Sequence, residues 1–164
     1  MAEVYLALGS NLGERADHLA RGKIALAQHA IRPVAQSAIY ETDPWGPVPQ
    51  GRYLNQVVRA TTKLVPRSVL TAALAIERAQ GRDRPQETRF GPRTLDIDIL
   101  AYDDLTIREA DLEIPHPRLL ERAFVLVPLA EIAPDLVVNG VRVRDALARL
   151  DRSGIARFAE VDHR

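Results

Sequence analysis

A segment in which apolar and acidic residues alternate places the tightest constraint on how this chain of 164 residues can fold. Leu95, Ile97 and Ile99 alternate with Asp96 and Asp98, and an arginine-rich loop precedes them. Alternation with a period of two is typical of a β-strand, whose successive side chains point to opposite faces. The pattern therefore predicts a strand over 95–102, with the two carboxylates on one face and about 6.5–7 Å apart.

Two carboxylates on the same strand face repel each other, and Asp is a poor strand former. One interpretation is that two oxygen-ligated divalent cations lie opposite them, while Arg93 and its neighbours bind a phosphate chain. The alternative is a solvated strand face with Arg93 as a surface partner, since short motifs of this kind also occur by chance. The spacing alone leaves both interpretations open.

Composition excludes several classes of protein. The chain has no cysteine, so disulfides and thiolate metal sites are impossible. Its formal net charge is zero, which argues against a protein whose main role is to bind nucleic acid. No apolar run predicts a signal peptide or a membrane-spanning segment. We expect a single cytoplasmic domain over 1–164, and a monomer because no feature requires an oligomer.

The pattern along the chain predicts the order β-α-β-β-α-β. Strands are expected at 4–8, 34–42, 53–64 and 95–102, and helices at 14–30 and 66–79. Ser10 or Asn11 could cap the first helix, while Pro66 begins and Gly81 ends the second. This order is typical of the ferredoxin-like α+β fold, in which both helices cover one face of an antiparallel sheet. The other face would then be open to a ligand.

Weaker patterns follow in the C-terminal part. Residues 105–107 could pair back as a short strand, and 124–132 is expected to form a short buried helix despite Pro128. Residues 141–150 read either as an amphipathic helix or as a strand followed by a helix. The last dozen residues are expected to be loosely held.

Two long loops, at 43–51 and 82–93, are either binding loops or tolerated surface insertions. Tyr53 and Asn55 share a strand face, where they could stack on and hydrogen-bond to a flat heterocycle or simply be exposed. His116, between two prolines, could bind phosphate or base or be structural. Phe124 would ordinarily be a core residue, and Glu77 a solvated one.

Arginines opposite paired carboxylates outline a phosphoryl-transfer site. Neither of the glycine-rich phosphate-binding loops occurs in the sequence, so side chains and Mg²⁺ would have to hold a nucleotide's phosphates. Two alternatives remain at this point. One is an RNA-binding module, which the same topology can serve, and the other is a metal-dependent phosphohydrolase that uses the same carboxylates.

Taken together, the motifs resemble the 6-hydroxymethyl-7,8-dihydropterin pyrophosphokinase family. The resemblance runs in order from about residue 4 to residue 134, and 91–100 is its most specific part. The matching pieces are Gly9-Ser10-Asn11-Leu12, Tyr40-x-Thr42-x-Pro44-x-Gly46, Gln50, Tyr53-x-Asn55, Gly81-Arg82-x-Arg84, the segment 89–100, Pro115-His116-Pro117-Arg118, Arg122-x-Phe124 and Pro128-Leu129.

The resemblance implies a ferredoxin-like fold and transfer of pyrophosphate from ATP to the pterin's hydroxymethyl group, which releases AMP. It implies that Asp96 and Asp98 bridge two Mg²⁺ ions and act in catalysis together with Arg82 and Arg93. The pterin ligands would be Thr42, Tyr53, Asn55, Asp96 and Phe124. The residues around the nucleotide would be Glu77, Arg84, Arg93, Ile99, His116 and Arg122. Leu74, Asp111 and Glu113 depart from the family's pattern near the nucleotide, so contacts to the nucleobase stay unassigned.

Overall fold

A computed structural model describes residues 1–44, 50–81 and 94–159. Its centre is an antiparallel sheet in which five strands follow the order β10-β3-β4-β1-β5, while β2 pairs with β4 alongside β3. The strands of this sheet are β1 (Ala2–Ser10), β2 (Ile31–Gln36), β3 (Tyr40–Thr42), β4 (Tyr53–Thr62), β5 (Asp96–Tyr102) and β10 (Ile155–Arg157).

Two helices, α1 (Arg15–Gln28) and α2 (Pro66–Ala79), cover the first face of the sheet. Gly22 allows α1 to pack closely against the side chains of Leu8 and Leu95, because a Cβ atom at this position would lie 3.1 Å from Leu95 and 3.2 Å from Leu8. Pro66 begins α2 as predicted, and Gly81 follows its end with a φ of +91°. The predicted cap of α1 is wrong, since the N-cap residue is Glu14 and it makes no side-chain capping bond.

A second helical layer lies on the opposite face of the sheet. It consists of a 3₁₀ turn (Leu119–Glu121), α3 (Ala123–Ile132, with Pro128 inside it) and α4 (Val143–Leu147). Its apolar side chains pack on Tyr5, Val57 and Ala101. The second face is therefore only partly open to a ligand. The sequence of α3 is almost wholly apolar, and burying it requires an apolar sheet face as its partner.

The predicted strand at 34–42 is divided into β2 and β3. Side chains from β4 and α3 form hydrogen bonds with the backbone between these two strands. Gln56 of β4 donates from Nε2 to the Ser37 carbonyl, and the Ala38 N–H donates to the carboxylate of Glu131 in α3. The Tyr40 hydroxyl donates to the same carboxylate, at 2.5 Å. A residue of the second helical layer thus stabilises the break in the strand.

The remaining strands form small pairs. Residues 105–107 do not pair back onto β5, because β6 (Ile107–Glu109) and β7 (Leu112–Ile114) form a separate hairpin. β8 (Val137–Val138) pairs with β9 (Val141–Arg142), and α4 follows directly, so the reading of 141–150 as a strand followed by a helix is confirmed. The expected loose C-terminus is wrong for 155–157, which form the edge strand β10 on β3.

The element order and the antiparallel sheet confirm the predicted α+β, ferredoxin-like βαββαβ arrangement. None of the helices in the described part of the chain has the length and apolar character needed to cross a membrane.

Candidate active site

Asp96 and Asp98 lie at the start of β5 on the second face of the sheet. The alternation predicted from the sequence holds, because Ile97 and Ile99 point into the core under α1 and α2. Across the ladder, Asp96 faces Gly9 and Asp98 faces Ala7 on β1. Residues directly opposite each other in an antiparallel pair share a face, and these two are the smallest side chains available. Neither neighbour therefore presents a large side chain beside the carboxylates, and Ala7 packs against the apolar cluster under the second helical layer.

The same surface continues onto β4 and β3. Gly9 faces Asn55 on its other side, and a Cβ at Gly9 would lie 3.2 Å from the Oδ1 atom of Asn55. Asn55 donates from Nδ2 to the Thr42 hydroxyl at 2.7 Å. Thr42 and Tyr53 face each other across the strands and are buried. A polar patch thus runs from Asp96 across the glycine to Thr42, just beyond the part of the face that α3 covers.

His116 and Arg122 stand beside this polar patch, before and after the 3₁₀ turn. The negative charges of Asp98 and Asp96 act on Arg122, although burial prevails and lowers the pKa of its guanidinium. Burial, reinforced by the charge of Arg122, lowers the pKa of His116 to about 4, while Asp96 opposes that shift. His116 is therefore neutral near pH 7. Its Nδ1 atom accepts a hydrogen bond from the Arg118 N–H at 3.2 Å, which places the ring proton on Nε2.

Phe124 is the second residue of α3 and is only half-buried, although it packs against the apolar cluster of the second helical layer, so the expectation of a core residue is met only in part. The guanidinium of Arg122 lies over its ring, 5.6 Å from the ring centre, which is within cation–π range. An aromatic ring thus lies against Arg122, on which the charges of Asp96 and Asp98 act.

Glu77 is fully buried near the C-terminus of α2, and the expectation of a solvated side chain is wrong. Its carboxylate accepts a hydrogen bond from the Ile97 N–H at 2.8 Å. Among the described residues β5 is the last strand on this side of the sheet, and its Ile97 N–H points away from β1 toward Glu77. Glu77 therefore satisfies the backbone between the two site carboxylates from the open edge of the sheet.

A cleft of about 410 Å³ opens along the same edge of β5. One wall comes from α2 and the other from the β6–β7 hairpin and the segment after it, and Asp98 and His116 are among the lining residues. Its lining residues are Leu70, Leu74, Ile97, Asp98, Ile99, Ala110, Asp111, Leu112, Glu113, His116 and Pro117. The floor and one wall are mostly apolar, whereas Asp111 and Glu113 make the outer wall acidic.

The structure thus brings together most of the predicted site residues that it describes. The polar patch contains Thr42, Tyr53, Asn55, Asp96 and Asp98, with Arg122 and Phe124 at its border, and the cleft contains Asp98, Ile99 and His116. Arg82, Arg84 and Arg93 lie outside the described residues. Sequence reasoning missed the roles of Gly9 and Ala7, whose only signal was the loss of large side chains at the end of β1.

Paired carboxylates beside a cleft, on an antiparallel α+β sheet, are typical of a phosphoryl-transfer enzyme. The family model described as 7,8-dihydro-6-hydroxymethylpterin-pyrophosphokinase matches residues 5–134, and the chain belongs to this family. A relative from Methylorubrum extorquens, named 2-amino-4-hydroxy-6-hydroxymethyldihydropteridine pyrophosphokinase, is 52% identical over 158 residues, which cover 96% of this chain and 99% of the relative. A protein of the same name from Pseudomonas aeruginosa is 42% identical over 94% of this chain and 96% of its own length.

Solved structures share the fold. A crystal structure of an HPPK-DHPS protein in complex with substrates matches with a TM-score of 0.72 at 14% identity, over 95% of this chain and 46% of that one. Wild-type Plasmodium falciparum HPPK-DHPS with SDX-DHP matches with a TM-score of 0.68 at 17% identity, over 90% of this chain and 43% of that one. This chain therefore spans less than half the length of those chains, and at these identities the likeness shows the fold alone.

Family membership confirms the predicted activity. The chain is an ATP-dependent diphosphotransferase of folate biosynthesis, and it transfers pyrophosphate from ATP to the hydroxymethyl group of 6-hydroxymethyl-7,8-dihydropterin, giving AMP and the pterin diphosphate. The alternatives of an RNA-binding module and of a phosphohydrolase are thereby set aside.

Proposed function

We propose that Asp96 and Asp98 are the metal ligands of this reaction and hold two Mg²⁺ ions against the triphosphate of ATP. The observation that carries the proposal is the strand register, because both carboxylates share a face whose cross-strand neighbours, Gly9 and Ala7, have the smallest side chains. Larger side chains at these two positions would occupy the space that hydrated ions and phosphates need.

The donor set fits magnesium rather than a softer metal. The described residues contain no group of three or more His, Cys, Asp or Glu side chains placed to bind one ion. Mg²⁺ is commonly held by one or two carboxylates, with water and substrate phosphates completing its coordination, so two carboxylates are sufficient. When bound, the ions would neutralise the charge of the triphosphate and orient it for attack.

The pterin is proposed to lie over the polar patch. Thr42, Asn55 and Asp96 would hydrogen-bond to the heterocycle, and the rings of Tyr53 and Phe124 would enclose it. The bond from Asn55 to the Thr42 hydroxyl supports this placement, since it holds two polar side chains in one fixed orientation beside Gly9. Hydrogen-bonding groups held in advance cost less entropy when a ligand binds.

The nucleotide is proposed to lie in the cleft at the edge of β5, with its phosphates toward Asp98. Ile99 would contact the nucleoside, His116 and Arg122 would bind phosphate oxygens, and Glu77 would support the strand beside them. A neutral His116 would act as a hydrogen-bond donor through Nε2 rather than as a cation. Arg82, Arg84 and Arg93 are proposed as additional phosphate ligands on the family resemblance.

In this arrangement the substrate hydroxyl attacks the β-phosphorus in line. The bond from the hydroxymethyl oxygen to phosphorus forms while the bond from phosphorus to the α–β bridging oxygen breaks, and AMP leaves with that oxygen. The hydroxyl proton is lost during the transfer. Positioning and charge neutralisation supply most of the catalysis in phosphoryl transfer, and no described side chain is assigned as a general base.

The test is product analysis with ATP, Mg²⁺ and 6-hydroxymethyl-7,8-dihydropterin, with and without a chelator. AMP is expected to form one-for-one with pterin diphosphate and only with metal. Asp98→Asn should abolish turnover while thermal unfolding stays close to that of the wild type. Asp104→Asn, at an exposed position in the turn after β5, is the matched control and should retain full activity. Turnover by Asp98→Asn near the wild-type rate would refute the metal assignment.

Arg93 has its own test. Arg93→Ala is expected to lower the rate of the chemical step, measured in single-turnover experiments with both substrates saturating. An effect confined to substrate affinity would contradict its proposed catalytic role.

The predicted single domain over 1–164, the monomeric state and the cytoplasmic location are retained as proposals. Sedimentation equilibrium at the mass of one chain, 18.2 kDa, is the expected result for the monomer.

A further inference from the structure

The C-terminal strand β10 lies beyond residues 5–134, where the family model ends. It pairs antiparallel with β3, and Ile155 faces Thr42. β3 is only three residues long, and its other neighbour is β4, where Thr42 faces Tyr53. The short strand that carries Thr42 is thus held between two neighbours, one of which is supplied by the end of the chain.

The turn that leads into β10 contacts the residue next to Thr42. The Asp43 N–H donates to the Gly154 carbonyl at 3.1 Å. A Cβ at Gly154 would lie 2.2 Å from the Asp43 Oδ2 atom, which is closer than non-bonded atoms can approach. Gly154 also has a φ of +78°. An alanine at this position would therefore strain the backbone and displace the side chain of Asp43.

An ion-pair network extends from this contact on the exposed side of the strands. Arg52 donates to Asp43 at 3.1 Å and also pairs with Glu41, which Arg15 contacts at 2.9 Å. The guanidinium of Arg15 lies over the ring of Phe158, 5.8 Å from its centre. The C-terminal segment is thereby tied to the residues that flank Thr42 and Tyr53.

We infer that β10 is a positioning element of the pterin site: by pairing with β3 and holding Asp43 through Gly154, it orders Thr42 for the pterin. The inference rests on the proposed function, in which Thr42 and Asn55 bind the pterin. β10 touches no part of the nucleotide cleft, so its loss should affect the pterin and not ATP.

The ladder shows which β10 residue to change. The Asp43 N–H bonds to the Gly154 carbonyl, and the Phe158 N–H bonds to the Ile39 carbonyl, one on each side of the pair Glu41–Ala156. Bonded pairs recur at every second residue of an antiparallel ladder, so the Ala156 N–H points to β3 whereas its neighbours' N–H groups point away. Proline at 156 removes a ladder bond, and proline at 157 does not.

The experiment compares Ala156→Pro with Arg157→Pro, both at exposed positions of the same edge strand. Ala156→Pro is expected to raise the KM for 6-hydroxymethyl-7,8-dihydropterin about tenfold, while the KM for ATP stays within about twofold of the wild type. Arg157→Pro should leave both constants within about twofold. Equal effects of the two prolines, or a parallel rise in the KM for ATP, would overturn the inference.

A second pair of variants tests the positioning role of β10 if Ala156→Pro does not fold. Gly154→Ala displaces the Asp43 side chain and should also raise the pterin KM selectively. Gly140→Ala is the matched control, because Gly140 has the same φ of +78° but no atom within 4 Å of the added Cβ. It should cost similar stability in thermal unfolding and leave the pterin KM unchanged. The same KM in both alanine variants would refute the positioning role.

Asn55→Ala distinguishes a failure of the inference about β10 from a failure of the proposed pterin site. A selective rise in pterin KM for Asn55→Ala, without one for the β10 variants, would leave the proposed pterin site standing and remove only the role of β10. No change in pterin KM for Asn55→Ala would instead remove the proposed pterin site itself.

Discussion

Lowering the pH is expected to destabilise the metal-free protein through one histidine. His116 is half-buried, and burial together with Arg122 lowers its pKa from 6.5 to about 4. Its Nδ1 atom already accepts a hydrogen bond from the Arg118 N–H, so protonation there also breaks that bond. The folded chain therefore resists a proton that the unfolded chain accepts readily.

The change in unfolding free energy with pH follows from the difference between the pKa of His116 in the folded and in the unfolded chain. Because the folded pKa lies below the unfolded one, stability is fully present above pH 6.5 and is lost as the pH falls toward 4. The difference between the two pKa values corresponds to about 3 kcal/mol of unfolding free energy, and about 2 kcal/mol of this is lost by about pH 5.

The assay is urea unfolding at about pH 7 and about pH 5, with a chelator and without nucleotide, for the wild type and His116→Asn. The Asn side-chain oxygen can still accept from the Arg118 N–H but does not titrate. The variant should therefore lose about 2 kcal/mol less than the wild type between the two pH values. An equal loss in both proteins would refute this reasoning, as would an NMR titration of the His116 ring with a midpoint near 6.5.

Three further predictions concern the glycine opposite Asp96, the buried helix α3 and the ion pairs of the β6–β7 hairpin. Gly9→Ala places a Cβ 3.2 Å from the Asn55 Oδ1 atom and should raise the pterin KM about fivefold in steady-state assays without changing the KM for ATP; an unchanged pterin KM would contradict the proposed placement of the pterin beside Gly9 and Asn55. Leu126→Ala, at a fully buried position of α3, should cost about 2–5 kcal/mol in urea unfolding, and a loss below about 1 kcal/mol would mean that α3 is not packed as described. Arg67→Ala removes exposed ion pairs to Glu109 and Asp111 and should leave the urea midpoint close to that of the wild type; a clearly lower midpoint would show that these pairs hold the β6–β7 hairpin.

The position of the candidate site follows from where the second helical layer ends. α3 and α4 cover the part of the face formed by Tyr5, Val57 and Ala101, and the polar patch begins beyond it. Phe124 and Arg122 lie at the start of this layer, where the proposed pterin and phosphate contacts would fall. In this proposal the helical layer that completes the core also supplies one wall of the site.

Local rules were enough to predict much of this protein from its sequence. The period of two over 95–100 placed both Asp side chains on one strand face, and Pro66 and Gly81 marked the limits of α2. These features depend on residues adjacent in the chain, and backbone geometry alone determines them. The motif resemblance extended the prediction to the family and its reaction, which the family comparison confirmed.

Tertiary structure decided what depends on residues far apart in the chain. The hydrogen bond from the Ile97 N–H to buried Glu77 comes from packing α2 beside β5, and the absence of a side chain opposite Asp96 comes from the register that places Gly9 there. The ordering of β10 likewise comes from pairing with β3, more than a hundred residues earlier in the sequence. Propensity and periodicity describe one segment at a time, whereas strand order and register are set by which segments bury one another's apolar faces.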